Sequence, residues 1–387
     1  MYDFDKIIDR RGTGSLKWDV AENELPMWVA DMDFETAPAI IEALKKRVEH
    51  GVFGYSIIPD EWQQAYVKWW KEQHAFEIEE DWLVFTTGVI PIISSAVRKF
   101  TSPGENILVQ TPVYNTFFNS MVNNGRNPLE SRLVYRDGQY EIDFADLEEK
   151  LADPQTSLMI LCNPHNPIGK IWDRETLEKI GDLCVAHDVL VISDEIHCDL
   201  TAPGKDYIPF ASVSENCKMN SITCLAPTKT FNIAGIQTAA AMSANPALRH
   251  KIWRALNTDE VGEPNVFAVD AAIAAFEHGG AWLDELKGYI QKNKELVADF
   301  ISKELPQLSI VSMDATYLLW VDCSRVTDDS GVLAKHLRKE TGLYVVAGEA
   351  YRGDGKHFLR INLACPKATV EDGLARLKAG VESFHEA

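Results

Sequence analysis

The chain has 387 residues, of which 46% are hydrophobic, and it carries 38 Lys plus Arg against 58 Asp plus Glu. This length is enough to bury a large core and normally divides into two domains, and the composition is that of a globular protein. The formal net charge of −20 argues against binding to nucleic acids or anionic membranes, because both reward clustered cations.

Membrane, export and metal signals are missing from the sequence. No apolar run approaches the roughly 20 residues of a membrane span, and the N-terminal residues lack the basic-then-apolar form of a signal peptide. The seven cysteines include no Cys-x-x-Cys pair, and the ten histidines show no metal-ligand spacing. We therefore expect a cytoplasmic protein with reduced thiols and no metal site.

The order of elements predicts an α/β fold. Strand-like and helix-like stretches alternate from about residue 60 to 245, which is typical of a doubly wound, mostly parallel sheet. The strands predicted there are 106–110, 157–162, 189–193 and 221–225, with a helix at 173–187. Three periodic helices follow at 246–257, 266–278 and 282–305. The C-terminal third predicts a small α+β unit with strands 315–322 and 357–363 and helices 332–341 and 370–384.

The first candidate site segment is FTTGVI at 85–90, which precedes a helix-like stretch. A helix that opens on Thr-Thr-Gly presents free backbone N–H groups and the positive end of a helix dipole, which together suit a phosphate. From this segment alone, an ordinary capped helix start is the simpler interpretation.

The second segment is CNPHNPIG at 162–169, directly after the apolar run 158–161. Two Asn-Pro pairs and a glycine predict a rigid loop at the end of a buried strand. An asparagine amide fixed there can donate a hydrogen bond to a phenolate oxygen. A plain turn is the alternative, although the doubled Asn-Pro favours a function.

The third segment is SDEIH at 193–197, which ends the apolar strand 189–192. Open α/β sheets bind ligands at the carboxyl ends of their strands, and a carboxylate there can keep a pyridine nitrogen protonated. The alternative is a helix N-cap formed by Ser193 or Asp194.

The fourth segment is APTKTFNIAG at 226–235, which follows the apolar run 222–225 and contains Lys229. A lysine amine in a partly dry pocket loses its proton more readily and becomes a nucleophile, as Schiff-base chemistry requires. Most of the 38 Lys and Arg residues are solvated surface charges, so Lys229 gains weight only from the other three segments.

Together the four segments suit one ligand, pyridoxal 5′-phosphate. This cofactor needs a phosphate cradle, a donor to its phenolate, a carboxylate at its ring nitrogen and a Schiff-base lysine. Gly88, Asn166, Asp194 and Lys229 occur in that order, and the motifs around them resemble the class I/II aminotransferase-fold family over essentially the whole chain. The resemblance implies fold type I, with a large cofactor-binding domain at 48–287 and a small domain built from 1–47 and 288–387.

Further segments resemble the cystathionine β-lyase (carbon–sulfur lyase) branch of that family. They are LPMWVADMDF at 25–34, FGY at 53–55, NPHNP at 163–167, SDEIH at 193–197 and KTFNIAG at 229–235. A structural alternative exists for the first of them, an apolar segment that docks the N-terminus onto the core.

The resemblance also implies a role for individual residues. Lys229 bonds covalently to the cofactor and then takes the substrate Cα proton, and Tyr55 reaches the phosphate from a second subunit of a homodimer. The remaining implied cofactor contacts are Asp194 at the ring nitrogen, Asn166 at the ring oxygen, Gly88 and Val89 at the phosphate, and Tyr114 stacked on the ring.

Substrate contacts are implied as well. Arg360, in FLRIN at 358–362, grips the substrate carboxylate with a bidentate fork, with an exposed cross-strand ion pair as the alternative. The pocket candidates for the leaving group are Trp28, Asp31, Tyr55 and Tyr114.

Three positions depart from the family pattern. Gln237 stands where a basic residue usually contacts the phosphate, and Ala226 stands where a serine is common. Thr228 is then the candidate hydroxyl donor to the phosphate. His197 replaces a tyrosine near the ring oxygen, and a structural histidine is an equally good interpretation.

The function implied is β-elimination from a sulfur amino acid such as cystathionine, cysteine or an S-substituted cysteine, which yields pyruvate, ammonia and a thiol. An aminotransferase is the alternative, because both reactions begin with the same Cα carbanion. A non-catalytic regulatory protein that keeps the fold is a second alternative.

Overall fold

The computed structural model describes residues 2–311 and 313–385. Its strands are β1 Leu25–Pro26, β2 Leu83–Thr86, β3 Asn106–Thr111, β4 Asn127–Arg132, β5 Val134–Arg136, β6 Gln139–Glu141, β7 Thr156–Cys162, β8 Leu190–Asp194, β9 Ser221–Leu225, β10 Ala239–Met242, β11 Ser309–Ile310, β12 Leu318–Asp322, β13 Leu343–Tyr344, β14 Val346–Ala347 and β15 Phe358–Asn362.

The α-helices are α1 Pro38–His50, α2 Asp60–His74, α3 Val89–Phe100, α4 Thr116–Val122, α5 Phe144–Leu151, α6 Arg174–Ala186, α7 Glu215–Met219, α8 Pro246–Thr258, α9 Ala268–His278, α10 Gly280–Glu304, α11 Ser330–Thr341 and α12 Lys367–Ser383. Short 3₁₀ turns lie at Glu80–Trp82, Phe210–Ser212, Ala234–Ile236, Gly348–Tyr351 and Gly355–His357. Within the described ranges, no helix combines the length and apolar character needed to cross a membrane.

A seven-stranded sheet forms the centre of the molecule in the order β2-β10-β9-β8-β7-β3-β4. Neighbours from β9 to β4 run parallel, whereas β10 is antiparallel to both β2 and β9. The predicted mostly parallel sheet is therefore confirmed. The predicted strands at 106–110, 157–162, 189–193 and 221–225 each agree with an observed strand to within one residue at either end.

Alternate residues of the central strands pack into two separate cores. On β3, Ile107 and Val109 face a cluster that includes residues of α3, α4 and α8, whereas Leu108 faces one that includes α5 and α6. Ile160 and Leu161 of β7 divide between the two clusters in the same way. Strand side chains alternate between the faces of a sheet, so this pattern requires helices on both faces, as in a doubly wound fold.

A smaller sheet has the order β11-β12-β15-β14 and packs with α11 and α12. The strand predicted at 315–322 begins only at Leu318, and this part of the prediction is wrong. Thr316 has a φ of 64°, in the left-handed region, and the Ala315 N–H donates to Gly169 O at 2.9 Å. Ala315 is therefore bound to the loop after β7, and the Thr316 N–H donates to the Leu200 carbonyl at 2.7 Å, so the strand begins only after these residues.

The two ends of the chain meet through β1, which pairs in parallel with β13. Helix α1 instead packs against α9, on the side of the central sheet. The predicted boundary at 287/288 lies inside the continuous helix α10. The division into 48–287 and 1–47 plus 288–387 stays a prediction.

Candidate active site

The polar residues singled out in the sequence follow strands that end at one edge of the central sheet. Asn166 follows β7, Asp194 ends β8, and Lys229 follows β9. Because these strands are parallel and adjacent, their carboxyl ends lie side by side. Thr86, at the end of β2, pairs with Ala239 at the start of β10, which brings Gly88 and α3 to the same edge. This edge is where an open α/β sheet binds ligands.

Lys229 is partly buried, and its Nζ donates to the Ala30 carbonyl at 2.6 Å. Burial, followed by the nearby charge of Arg360, lowers the pKa of Lys229 to about 8. Asp31 and Asp194 oppose this shift. The amine therefore loses its proton more readily than an ordinary lysine does, which favours a role as nucleophile or base.

Asp194 is 5% exposed, and its Oδ1 accepts from the Ile196 N–H at 3.1 Å. Burial raises the pKa of Asp194 to about 7, while that hydrogen bond and the charge of Lys229 lower it. A cationic ring nitrogen beside this carboxyl would favour its ionised form.

Arg360 lies on β15 with 5% exposure, so the exposed ion pair considered from the sequence is excluded. Its Nη2 donates to the Trp28 carbonyl at 2.8 Å and its Nη1 to Asn166 Oδ1 at 3.4 Å. Its guanidinium lies 5.0 Å from the centre of the Tyr351 ring. None of these partners is a carboxylate, so the cation is free to bind one from a substrate.

His197 is 3% exposed, and its ring lies 6.3 Å from that of Tyr317. Burial, together with the charges of Lys229 and Arg360, lowers the pKa of His197 to about 3. The imidazole is therefore neutral at physiological pH.

A segment that we call the strap, residues 27–34, connects several of these groups. The Ala30 carbonyl accepts from Lys229 and from the Tyr317 hydroxyl, the latter at 3.0 Å. Asn362 Nδ2 donates to the carbonyls of Val29 and Asp31, at 2.6 Å each. The strap thus lies against both the lysine and the arginine, since the Trp28 carbonyl accepts from Arg360.

The strap is held from behind by a cluster of charged side chains. Asp33 accepts from Lys17 at 2.7 Å, from Arg10 at 2.6 Å and from the Trp18 indole at 2.8 Å. Arg10 also pairs with Asp31 at 2.7 Å. Lys17 and Asp33 are 1% and 5% exposed, so water contributes little to their stabilisation.

Several other predicted site residues lie near this cluster. Tyr114 follows β3, with its ring 5.6 Å from that of Phe117, and the preceding Val113 N–H donates to the Tyr351 carbonyl. Thr228 is buried one residue before Lys229. Trp28 touches Arg360 through its backbone, while its ring stacks 4.8 Å from that of Tyr344.

Two predicted residues lie apart from the cluster. Tyr55 is fully exposed in the segment 51–59, which forms neither helix nor strand. Gln237, which replaces the usual basic residue, is exposed with a φ of 58°. The structure gives the position of each of these residues, and the role of each stays a prediction.

The residues present fit an anionic ligand with an aromatic ring. No side chain caps the N-terminus of α3, whose first residue is Val89, so its amides are available to a phosphate. Within the described residues, the buried Arg360 Nε and His197 Nδ1 have no hydrogen-bond partner. The hydroxyls of Thr86 and Thr238, at the β2–β10 edge, are also buried without one. Buried polar atoms are normally satisfied, and a bound ligand with acceptor and donor groups would supply partners to those at this edge.

Tyr317, Tyr351 and the Ala30 carbonyl were not predicted from the sequence. Tyr317 and Tyr351 stand in no recognisable motif, and a backbone carbonyl has no sequence signal. The motif LPMWVADMDF did single out the strap, although not its contacts.

Comparison with known proteins gives matches over nearly the whole chain. A profile described as "Aminotransferase class I and II" matches residues 23–377. Cystathionine beta-lyase PatB of Bacillus subtilis is 44% identical over 384 residues, covering 98% of this chain and 99% of PatB. Protein MalY of Escherichia coli is 35% identical over 385 residues, covering 97% and 98%. Cystalysin from Treponema denticola, described as containing a pyridoxal 5′-phosphate cofactor, superposes with a TM-score of 0.96 at 34% identity over 100% of both chains. The PLP-bound C-S lyase from Staphylococcus hominis does so at 0.93, with 34% identity over 98% of both chains.

Proposed function

Because this chain belongs to the aminotransferase class I and II family, we propose that it is a pyridoxal 5′-phosphate-dependent carbon–sulfur lyase. The matches to cystalysin and its neighbours confirm the predicted aminotransferase-like fold type I. The reaction is β-elimination from cystathionine, cysteine or another S-substituted cysteine to pyruvate, ammonia and a thiol. This substrate class is supported by the similarity to proteins named cystathionine β-lyase and C-S lyase.

One observation carries the proposal. A lysine with its pKa lowered to about 8 lies beside a buried acid, Asp194, and a buried cation, Arg360, that has no carboxylate partner in the described residues. An amino acid that loses a Cα proton needs such a set: a base, an acid that would keep the cofactor's ring nitrogen protonated so that the ring can take up the negative charge, and a grip for the substrate carboxylate.

Each residue has a defined part in this reaction. Arg360 binds the substrate carboxylate in place of the Trp28 carbonyl, and Asn166 orients the guanidinium through its Oδ1. Lys229 would hold the cofactor, and its amine, which burial makes easier to deprotonate, would take the Cα proton of the substrate. When bound, pyridoxal 5′-phosphate supplies the electron sink for the Cα carbanion.

The acid and the remaining contacts act on the ligand's orientation. Asp194 would hold a proton at the ring nitrogen, and the amides of Gly88 and Val89 would bind the phosphate with help from Thr228. The buried neutral His197 would offer a hydrogen bond near the ring oxygen. Tyr114 would stack on the ring.

We also propose a cytoplasmic homodimer in which Tyr55 of one copy completes the site of the other. The support is its complete exposure together with that of its neighbours Val52, Phe53 and Ile57, which are 62%, 56% and 80% exposed. A run of apolar side chains in solvent favours contact with a second surface.

The test is a panel of sulfur amino acids assayed for pyruvate and free thiol without an added 2-oxo acid. We expect both products in equal amounts from the wild-type protein and neither from Lys229→Ala. Turnover that requires a 2-oxo acid would identify an aminotransferase instead. Absence of any cofactor-dependent reaction would favour the regulatory alternative.

A further inference from the structure

A buried carboxylate next to the proposed site has no part in the chemistry above. Asp199 is 4% exposed, and its Oδ1 accepts from the Trp69 indole N–H at 2.9 Å and from His74 Nε2 at 2.8 Å. Its Oδ2 accepts from Thr230 Oγ1 at 2.8 Å. A carboxylate only accepts hydrogen bonds, so His74 Nε2 must carry the hydrogen.

These contacts join three parts of the chain. Trp69 and His74 belong to α2, Asp199 lies five residues after Asp194, and Thr230 directly follows Lys229. Asn232, two residues after Thr230, binds the strap, because its Oδ1 accepts from the Met32 N–H at 2.9 Å. The lysine segment is therefore fixed to α2 from one side and to the strap from the other.

The energy of the arrangement depends on all the donors. Burial raises the pKa of Asp199, but hydrogen bonds from His74, Trp69 and Thr230 outweigh it and the pKa is lowered. Asp199 is thus an ionised carboxylate whose burial is offset by specific donors, and loss of one donor is costly.

A metal ion is the other ligand that these side chains suggest. Ligand atoms of His74, Cys198 and Asp199 lie within 4.8 Å of one another. However, both oxygens of Asp199 already bind protein donors, and burial together with the charge of Asp199 raises the pKa of the Cys198 thiol well above its usual value. Since a metal would need the thiolate and would displace these donors, the cluster is better explained as a hydrogen-bond network.

We infer that Asp199 is a positioning residue for Lys229, acting through Thr230 with its own orientation fixed by Trp69 and His74. This inference rests on the proposed cofactor chemistry of Lys229. Because small displacements of a reacting group are expensive, loosening of the lysine backbone should weaken its covalent capture of the cofactor.

Thr230→Val tests this directly, because it removes the hydroxyl and keeps the β-branched shape. A hydrogen bond to a charged group contributes roughly 1.5–3 kcal/mol, so we expect pyridoxal 5′-phosphate to bind at least about tenfold more weakly. The pH midpoint of the bound cofactor's visible absorption band should shift as well. Thr230→Ser, which restores the hydroxyl, should recover both values.

Thr156→Val is the matched control, since Thr156 is also buried and its hydroxyl has no hydrogen-bond partner within the described residues. It lies at the start of β7, at the opposite end of the sheet from Lys229. The inference would be overturned if Thr230→Val and Thr156→Val had the same cofactor affinity and the same pH midpoint.

His74 provides a second variant should Thr230→Val not fold. His74→Phe removes the donor to Asp199 and is expected to weaken cofactor binding severalfold, whereas His74→Gln keeps a donor and should bind more tightly than His74→Phe. Equal cofactor affinity in the two His74 variants would contradict the network. If the wild-type protein captures no pyridoxal 5′-phosphate, the proposed function fails. If the wild type captures the cofactor and the variants bind it equally well, the positioning role fails while the proposed function stands.

Discussion

The ion cluster behind the strap permits a quantitative test of what holds the site together. Lys17→Met removes one cation from Asp33 and replaces it with an apolar side chain of similar length. Lys17 Nζ lies 2.7 Å from Asp33 Oδ2, and the two side chains are 1% and 5% exposed. Nearly the whole interaction is therefore shielded from water.

Breaking a buried ion pair by removing one partner costs about 3–5 kcal/mol, because the other charge stays buried. Asp33 keeps Arg10 and the Trp18 indole on its Oδ1. We therefore expect the lower end, about 3 kcal/mol of unfolding free energy. The matched control is Lys6→Met, which breaks the Lys6–Glu35 pair at 2.6 Å with side chains 52% and 57% exposed. Water screens an exposed pair of this kind, so Lys6→Met should lose little stability.

Urea unfolding of both variants and the wild type measures the difference. The KM for a sulfur amino acid should rise in Lys17→Met, because the strap carries the Trp28 and Ala30 carbonyls that contact Arg360 and Lys229. If Lys17→Met lost no more stability than Lys6→Met, burial would not be what makes the cluster important and our reasoning on the strap would be refuted.

Three further predictions concern charge at the site. Arg360→Lys keeps the cation but loses the planar fork, so kcat/KM for amino acids should fall on the order of 100-fold, whereas Arg376→Lys on α12 should change it little. In the cofactor-free protein, burial raises the Asp194 pKa to about 7 from 3.8, so the protonated carboxyl stabilises the fold fully below pH 3.8 and this stabilisation is lost as pH rises towards 7. Asp194→Asn should abolish that loss in denaturation measured across this range. Burial lowers the His165 pKa to about 4 from 6.5, so the pH dependence has the opposite sign. Stability that is present above pH 6.5 is lost as the pH falls to 4, by about 3 kcal/mol. His165→Gln should remove this loss.

Much of the central sheet could be predicted from the sequence because its strands are short apolar runs followed by turn residues. The run at 157–162 is followed by Asn163-Pro164, and the observed strand β7, Thr156–Cys162, ends at the same residue as the run. The helix predicted at 173–187 is observed as α6, Arg174–Ala186, with Asp173 as an N-cap that accepts from the Thr176 N–H. Local signals of this kind specify where an element begins and ends.

Contacts between distant parts of the chain could not be predicted in this way. The Ala30 carbonyl meets Lys229 across 199 positions and the Tyr317 hydroxyl across 287. The late start of the strand predicted at 315–322 also has its cause in a distant contact, because the Ala315 N–H bonds to Gly169 of another loop. The candidate lysine, acid and arginine were found because each stands in a local motif, whereas Tyr317 and Tyr351 stand in none.

The central claim is that Lys229 is the residue that carries the cofactor. The chain offers an internal comparison, since burial also lowers the pKa of Lys294 to about 8, and its Nζ donates to a backbone carbonyl, that of Met313. Borohydride reduction of the protein with bound pyridoxal 5′-phosphate, followed by peptide mass analysis, shows which lysine is modified. We predict modification of the peptide that contains Lys229 and none of the one that contains Lys294. Modification of Lys294, or of no lysine, would contradict the account.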